Sequence, residues 1–355
     1  MESDLTVAAR CGPASATPVA GIAWNAVGYE ITILGGERSP MEVEIFAADA
    51  VGSLVSFLAQ RAKTSDGLVA VLDSTNGLLD GLLTRAGIDL YRADPVILPK
   101  RPVFGSVSSL VLAHRAKVFR AHLSRLSPTS GALAGRIAEH AAQIERTVDA
   151  ERMAGSGNCI SHGDRRRREV ALTFDDGPYP PFTARILDIL REYEAPGTFF
   201  CVGMNLRAYP QQVERILADG HAIGNHTWSH PFLPDLSLDE LALQIEWTNR
   251  VLDDSTGAFP LLVRPPYGSR TPEILRWAAG KGIRLMLWDT DSADWSAPGK
   301  EEIVRRVLST VRNGSIVLMH DGCGDRVQTV DALPGVIEGI MSMGYSLVRA
   351  DEITG

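Results

Sequence analysis

From Glu169 onward the chain alternates short apolar runs with amphipathic ones. In order these are VALTFDD, TARILDILREYE, GTFFCVG, QQVERILADG, LALQIEWTNRVLDDSTG, FPLLVRPPYG, PEILRWAAGKG, IRLMLWDTD, EEIVRRVLSTVRNG, SIVLMHDG and LPGVIEGIMSMG. Apolar runs bounded by turn residues predict buried strands, and those with 3.6-residue spacing predict helices. A chain of β-α units constrains the architecture to a parallel sheet, either doubly wound or closed as a barrel. In barrels of this type the functional face lies at the C-terminal ends of the strands. Asp175, Asp176, Arg264, Asp291, Asp294, His320 and Asp321 all fall at or just past predicted strand ends.

The first half reads differently. Residues 1–20 carry no periodic pattern and are expected to be a flexible lead. GIAWNAVGYEITIL and MEVEIFAA are rich in β-branched and aromatic residues and predict strands. AVGSLVSFLAQRAK, GLVAVLD, LLDGLLTRAG and IDLYRAD then predict helix, strand, helix and strand. A small α/β domain is therefore expected over 21–127. An amphipathic helix follows at 131–154, with Leu133, Ile137, Ala141 and Ile144 along one side. GSGNCISHGDRRRRE has no apolar period and reads as a surface linker. Together these make a helix-and-linker segment over 128–167, ahead of the second α/β domain at 168–355.

The 355 residues are 45% hydrophobic and 22% charged, as in an ordinary globular protein. A net charge of −8 argues against nucleic acid as a partner and against anionic membrane surfaces. The four arginines at 165–168 read as a solvated charge run. No basic segment leads an apolar run at the start, and no apolar run is long enough to span a bilayer. Four scattered cysteines, Cys11, Cys159, Cys201 and Cys323, form no C-x-x-C pair. These features fit reduced thiols and a cytoplasmic protein.

Several strand-end motifs can carry chemistry. ALTFDDGP places Asp175 and Asp176 side by side, so one carboxylate can bind a cation while the other serves as a base. Alone, the same DDG serves equally as a turn that caps the next helix. GHAIGNHTWSH holds three histidines, of which His226 and His230 are four apart and would share a face of a helical turn. Asp176 would complete with them a set of two histidines and one carboxylate, which leaves room for water and substrate around a metal. His221 falls outside that spacing and is expected to pack or hydrogen-bond. Arg264, ending LLVRPPYG, can fix a carboxylate. WDTDSADW gathers three carboxylates and two tryptophans, and IVLMHDG delivers His320, which a neighbouring carboxylate would suit for general-acid work. Singly, each has an ordinary structural explanation.

TFDDG, HTWSH, RPPYG, DSADW and LMHD together, in that order, resemble the polysaccharide deacetylase family (carbohydrate esterase family 4) over roughly Arg168 to Ala350. The resemblance implies a distorted barrel of about seven or eight β/α units and metal-dependent hydrolysis of an acetyl group. It makes Asp175 the catalytic base, and it makes Asp176, His226 and His230 the ligands of one divalent ion. Zinc is the expected ion, with cobalt, nickel or manganese as substitutes. Arg264 would orient Asp175, and Asp294 would tune His320 as the acid. Trp295 and Leu318 would line the pocket for the acetyl methyl, and the Tyr267 backbone N–H would stabilise the oxyanion. Tyr179, Trp228 and Trp295 could stack on sugar rings or pack the barrel top. The chain is expected to depart from the family pattern in having no secretion signal and in carrying the added N-terminal domain.

The run GLVAVLDSTNGLLDGLLTRAGIDLYRADP is similar to ribonuclease H-like domains of some transposases. It departs from them where such nucleases need a first-strand aspartate, because Asn25 stands there; Asp73 and Asp94 remain. A structural, dimerising or substrate-gating role is expected for this domain. Three functions stay open. The first is deacetylation of an amino sugar, oligosaccharide or sugar-bearing metabolite. The second is hydrolysis of another small-molecule C–N bond. The third, disfavoured by the acidic charge, is a nucleic-acid-associated protein with an inactive barrel.

Overall fold

The computed structural model describes residues 17–25, 27–35, 40–48, 50–65, 67–73, 78–93, 97–99, 105–126, 158–256, 262–322 and 325–353. The helix expected at 131–154 lies outside them, as do Cys11, Asp94 and Cys323.

A six-stranded sheet occupies the first part. β1 (Val19–Trp24), β2 (Gly28–Leu34) and β3 (Glu42–Ala47) form an antiparallel meander. The run GIAWNAVGYEITIL is thus two strands. Asn25 turns the corner, its Oδ1 accepting from the N–H groups of Val27 (2.9 Å) and Gly28 (3.1 Å), as an Asx turn does. β4 (Val69–Leu72) runs parallel to β1, β5 (Asp89–Ala93) parallel to β4, and β6 (Leu123–Arg125) closes the far edge antiparallel to β5. The order β3-β2-β1-β4-β5-β6 matches the expected leading strands followed by β-α-β alternation.

Every residue of β1 is buried because helices cover both faces. Leu54 and Leu58 of α1 (Val51–Thr64) and Leu79 and Leu83 of α2 (Leu78–Arg85) share one cluster with Ile22, Ile31 and Leu72. Leu112, Ala113 and Ala116 of α3 (Ser109–Val118), a helix the sequence reading did not anticipate, cover Val19, Val71 and Ala93 on the other face. Its approach needs Gly21, since a Cβ there would lie 2.0 Å from the Ser109 carbonyl oxygen.

The second sheet is parallel throughout, in the order β13-β14-β8-β9-β10-β11-β12-β7. Its strands are β7 (Cys159–Ile160), β8 (Glu169–Asp175), β9 (Thr198–Cys201), β10 (Ala222–Asn225), β11 (Leu262–Val263), β12 (Arg284–Met286), β13 (Thr290–Asp291) and β14 (Ser315–His320). β15 (Ser346–Val348) pairs with the first three residues of β8, and β9 pairs with the last three. The sheet curls into a distorted barrel, and one antiparallel bridge, His162 to Ser315, links the segment after β7 to the start of β14.

The segment read as a basic linker is corrected here. Its residues 159–160 supply β7, hydrogen-bonded beside β12, so the barrel begins about ten residues before the expected 168. The arginines fold back on the protein as well. Arg165 binds Asp289 (2.7 Å), Arg166 binds Asp164 (2.7 Å) and Arg167 binds Glu169 (2.6 Å), while Arg168 lies over the Tyr345 ring.

Two-residue alternation sorts the barrel side chains. Ala171, Phe200, Leu262, Met286 and Ile316 fill the inside. Val170, Leu172, Phe174, Val317 and Met319 face the surrounding helices. Those helices are α4 (Phe182–Glu192), α5 (Gly203–Ala208), α6 (Pro210–Ala218), α7 (Leu238–Thr256), α8 (Pro272–Gly280), α9 (Lys300–Thr310) and α10 (Val327–Ser342). Their starts are written in the sequence. Pro210 and Pro272 sit at first-turn positions, and Thr271 Oγ1 accepts from Ile274 N–H at 3.2 Å. Ser237 and Glu240 exchange bonds in a capping box, with Ser237 N–H to Glu240 Oε2 at 2.8 Å. α10 starts earlier than the run LPGVIEGIMSMG suggests and carries Pro334 inside it.

Candidate active site

Following the inward-facing register upward from Ala171 leads to Thr173 and Asp175, and from Ile316 to Leu318 and His320. His320 and Asp175 are direct cross-strand partners on β14 and β8. The expected acid and base therefore stand side by side at the barrel mouth.

Asp175 is buried and held by Arg264, whose Nη1 donates to Asp175 Oδ1 at 2.7 Å and to Thr173 Oγ1 at 2.7 Å. Arg264 is itself fully buried, donating to the carbonyls of Met286 (3.2 Å) and Leu287 (3.0 Å), with its guanidinium 4.0 Å from the Phe200 ring centre. Such a buried cation has its donors paired on every side, which fixes the position of its carboxylate partner.

Asp176 turns the other way because its backbone is left-handed (φ 77°). Its Oδ1 lies 3.1 Å from His230 Nε2 and 3.4 Å from His226 Nε2. His226 follows β10 directly and commits Nδ1–H to the Arg264 carbonyl at 2.7 Å, so Nε2 presents a lone pair. The helical turn expected for 226–230 does not form. Instead Thr227 (φ 67°) and His230 (φ 55°) adopt left-handed backbone, and those reversals bring the two imidazoles together at 4.9 Å.

Three buried donors, Asp176, His226 and His230, thus converge within 4.8 Å of one another, the one such group among the described residues. Asp176 Oδ1 is buried without a hydrogen-bond donor. Burial lowers the His230 pKa and keeps the ring neutral. Burial works against the charge on Asp176, yet its imidazole neighbours hold the carboxylate well below its usual range. A buried carboxylate oxygen facing two imidazole nitrogens, with no donor of its own, lacks only a cation. Metal bonds of about 2.0–2.2 Å in tetrahedral geometry put ligand atoms about 3.4 Å apart, close to the spacings found here.

Beside Asp175, His320 Nδ1–H donates to Asp294 Oδ1 at 2.7 Å, and His320 N–H donates to Asp294 Oδ2 at 2.8 Å. Burial alone would lower the His320 pKa, but the charge and hydrogen bond of Asp294 outweigh it and raise the value to about 9. Burial opposes the charge on Asp294 too, and His320 prevails, holding the carboxyl at about 2. Two partners here were not named from the sequence. Thr329 Oγ1 donates to Asp294 Oδ2 at 2.8 Å, and the Arg326 guanidinium reaches the Asp294 carbonyl at 3.4 Å. Both belong to the loop and first turn of α10, where no spacing rule points back to DSADW.

Asp321 accepts from Gly177 N–H (3.1 Å) and Thr183 Oγ1 (2.6 Å) beneath the DDG turn. Burial raises it to about 7. His221 lies apart from the metal donors, accepting from Gly197 N–H at 3.1 Å.

The expected substrate contacts divide. Leu318 is buried one inward step below His320. Trp295 stands on the rim, 46% exposed. Tyr267, at φ 60°, sets its ring edge-on to His230 at 4.7 Å. Trp228 and Tyr179 are corrected, because neither can meet a sugar. Trp228 is wholly buried against Trp247 (6.0 Å), and Tyr179 is 3% exposed and stacked on Phe182 (5.9 Å). They are packing residues of the barrel top.

A curled parallel barrel with a three-donor metal centre, a clamped carboxylate and a carboxylate-held imidazole defines a metal-dependent hydrolase. The family described as "Polysaccharide deacetylase" matches residues 162–286. A Bacillus cereus peptidoglycan-N-acetylglucosamine deacetylase is 39% identical over 187 residues, 52% of this chain and 68% of the relative. A chitooligosaccharide deacetylase of Azorhizobium caulinodans is 37% identical over 195 residues, 52% of this chain and 93% of the relative. Among solved structures, a peptidoglycan N-acetylglucosamine deacetylase bound to an N-oxidanyl-benzamide superposes with a TM-score of 0.55 at 36% identity, covering 56% of this chain and 92% of that one. The chain belongs to the polysaccharide deacetylase family and is a metal-dependent deacetylase.

Proposed function

We propose that this enzyme removes the N-acetyl group from an N-acetylglucosamine unit in a short oligosaccharide or related glycan, giving acetate and a free amine. The observation that carries the reading is the placement of Asp175 and His320 as cross-strand neighbours at the strand end that leads into the metal-donor cluster through Asp176. The relatives that bear sugar-deacetylase names supply the substrate class.

A divalent cation, when bound, polarises the acetyl carbonyl and lowers the pKa of nearby water. We assign zinc, which suits two imidazoles and one carboxylate with a position left for substrate. Asp175 accepts the proton of the attacking water through Oδ2, since Arg264 occupies Oδ1. The Tyr267 backbone N–H is the proposed donor to the developing oxyanion. His320 is protonated at neutral pH and gives its Nε2 proton to the departing nitrogen, while Asp294 balances the charge. Leu318 forms the floor for the acetyl methyl, and exposed Trp295 offers a ring face to the sugar. We further propose a cytoplasmic setting, supported by four scattered cysteines that form no C-x-x-C pair.

Acetate release from N-acetylglucosamine oligomers tests this directly. Activity should vanish with a chelator and return with zinc. Turnover of small cyclic amides without acetate release from any N-acetylated sugar would overturn the substrate assignment.

A further inference from the structure

The N-terminal domain touches the barrel just beyond the segment that carries the histidine ligands and at a residue that braces its middle. Arg92, on β5 and only 6% exposed, pairs with Asp235, five residues beyond His230. Tyr29, on β2 and buried, sets its hydroxyl 4.0 Å from Met204 Sδ. Met204 N–H in turn donates to the Trp228 carbonyl at 3.1 Å, and Gly203 N–H donates to the Thr227 carbonyl at 2.9 Å. One contact thus lies beyond the ligand segment and the other braces its middle. Of the two left-handed residues that aim the imidazoles, Thr227 is held at the Met204 contact and His230 lies between the two.

Non-glycine residues in that conformation cost free energy, and they persist only where the surroundings over-determine them. Part of the determination comes from inside the barrel, through Thr227 N–H to Asn225 Oδ1 (2.7 Å) and Ser229 N–H to Gln244 Oε1 (2.9 Å). After His230 the chain continues through Phe232, which packs on Tyr267 (6.3 Å), to the short turn Leu233–Asp235. Arg92 grips that turn from the other domain. A buried ion pair is a poor source of net stability but a good determinant of geometry.

We propose that the N-terminal domain is a brace for the metal centre: Arg92 acting through Asp235, and Tyr29 acting through Met204, are positioning residues for His226 and His230. The proposal rests on the metal site assigned above, and it gives the added domain a role in the deacetylase itself.

The test uses the full chain and reads zinc affinity by competition with a chromophoric chelator, with kcat and KM on N-acetylglucosamine oligomers at saturating zinc. Arg92→Met and Asp235→Asn should each weaken zinc binding about tenfold, the lower end of the range for residues that support metal ligands. They should lower kcat more than they raise KM. The exchange of the two residues (Arg92→Asp with Asp235→Arg) should recover much of the loss. Arg125→Ala, which removes an exposed pair with Asp89 inside the N-terminal sheet, should leave zinc affinity unchanged. If Arg92→Met fails to fold, Asp235→Asn on the barrel side carries the test. Unchanged zinc affinity in a folded Arg92→Met or Asp235→Asn variant overturns the brace while leaving the metal site standing. An equal loss in Arg125→Ala overturns it as well. A wild-type chain that takes up no divalent cation overturns the metal assignment and the brace with it.

Discussion

Asp294 divides its work between two oxygens, one for the ring of His320 and the other for the His320 backbone and Thr329. That arrangement sets the working pH range. His320 rises from an ordinary 6.5 to about 9 on folding, so it is the acid form that the fold favours. Deacetylation should therefore hold through neutral pH and fall as pH rises through about 9. The same linkage stabilises the fold fully below 6.5, and that contribution is lost as pH rises through about 9. Asp294, depressed from 3.8 to about 2, contributes stability above 3.8 that is lost as pH falls through about 2. In Asp294→Asn the alkaline limb of a kcat–pH profile should move to lower pH; an unmoved limb would show that another group controls it. Asp175→Asn isolates the base. It should lose about 10²–10⁴-fold in kcat and still bind zinc, which metal analysis of the purified variant checks.

At the scale of elements, the DDG turn depends on one missing side chain. A Cβ at Gly177 would lie 2.0 Å from Asp321 Oδ2, so Gly177→Ala must displace either the turn or Asp321. About 1–3 kcal/mol of stability should be lost, as for other overpacked sites, together with zinc affinity. Thermal melting followed by circular dichroism, with and without metal, reads both. The five motifs were legible in the sequence because their chemistry demands particular residue types at strand ends. Other features were not. β7 is two residues long, and only pairing with β12 makes it a strand. The helical turn drawn for His226 and His230 failed because spacing alone cannot show φ reversing at Thr227 and His230. Trp228 and Tyr179 stay open in the sequence between sugar stacking and packing, because spacing says which residues are near the barrel mouth and nothing about which side of its roof they face; their burial decides for packing. Trp295, in the same neighbourhood, emerges on the rim. In the N-terminal half, periodicity gave the leading strands and the β-α alternation, but α3 was missed.

For the whole molecule, a bound cation should couple to folding. Free zinc at a hundred times its dissociation constant should add about 2.7 kcal/mol to stability. Chelation should lower the melting temperature by several degrees, and His226→Ala should abolish that difference.

The His162–Ser315 bridge and the two-residue β7 have a practical consequence for anyone dividing the chain. A fragment begun at residue 168, where the recognisable motifs start, would strip one side of β12 and leave the N–H groups of Leu285 and Leu287, which bond to Asn158 and Ile160, unpaired. Such an edge is a template for other chains. That fragment should aggregate faster than one begun at residue 158, visible as a steeper rise in light scattering.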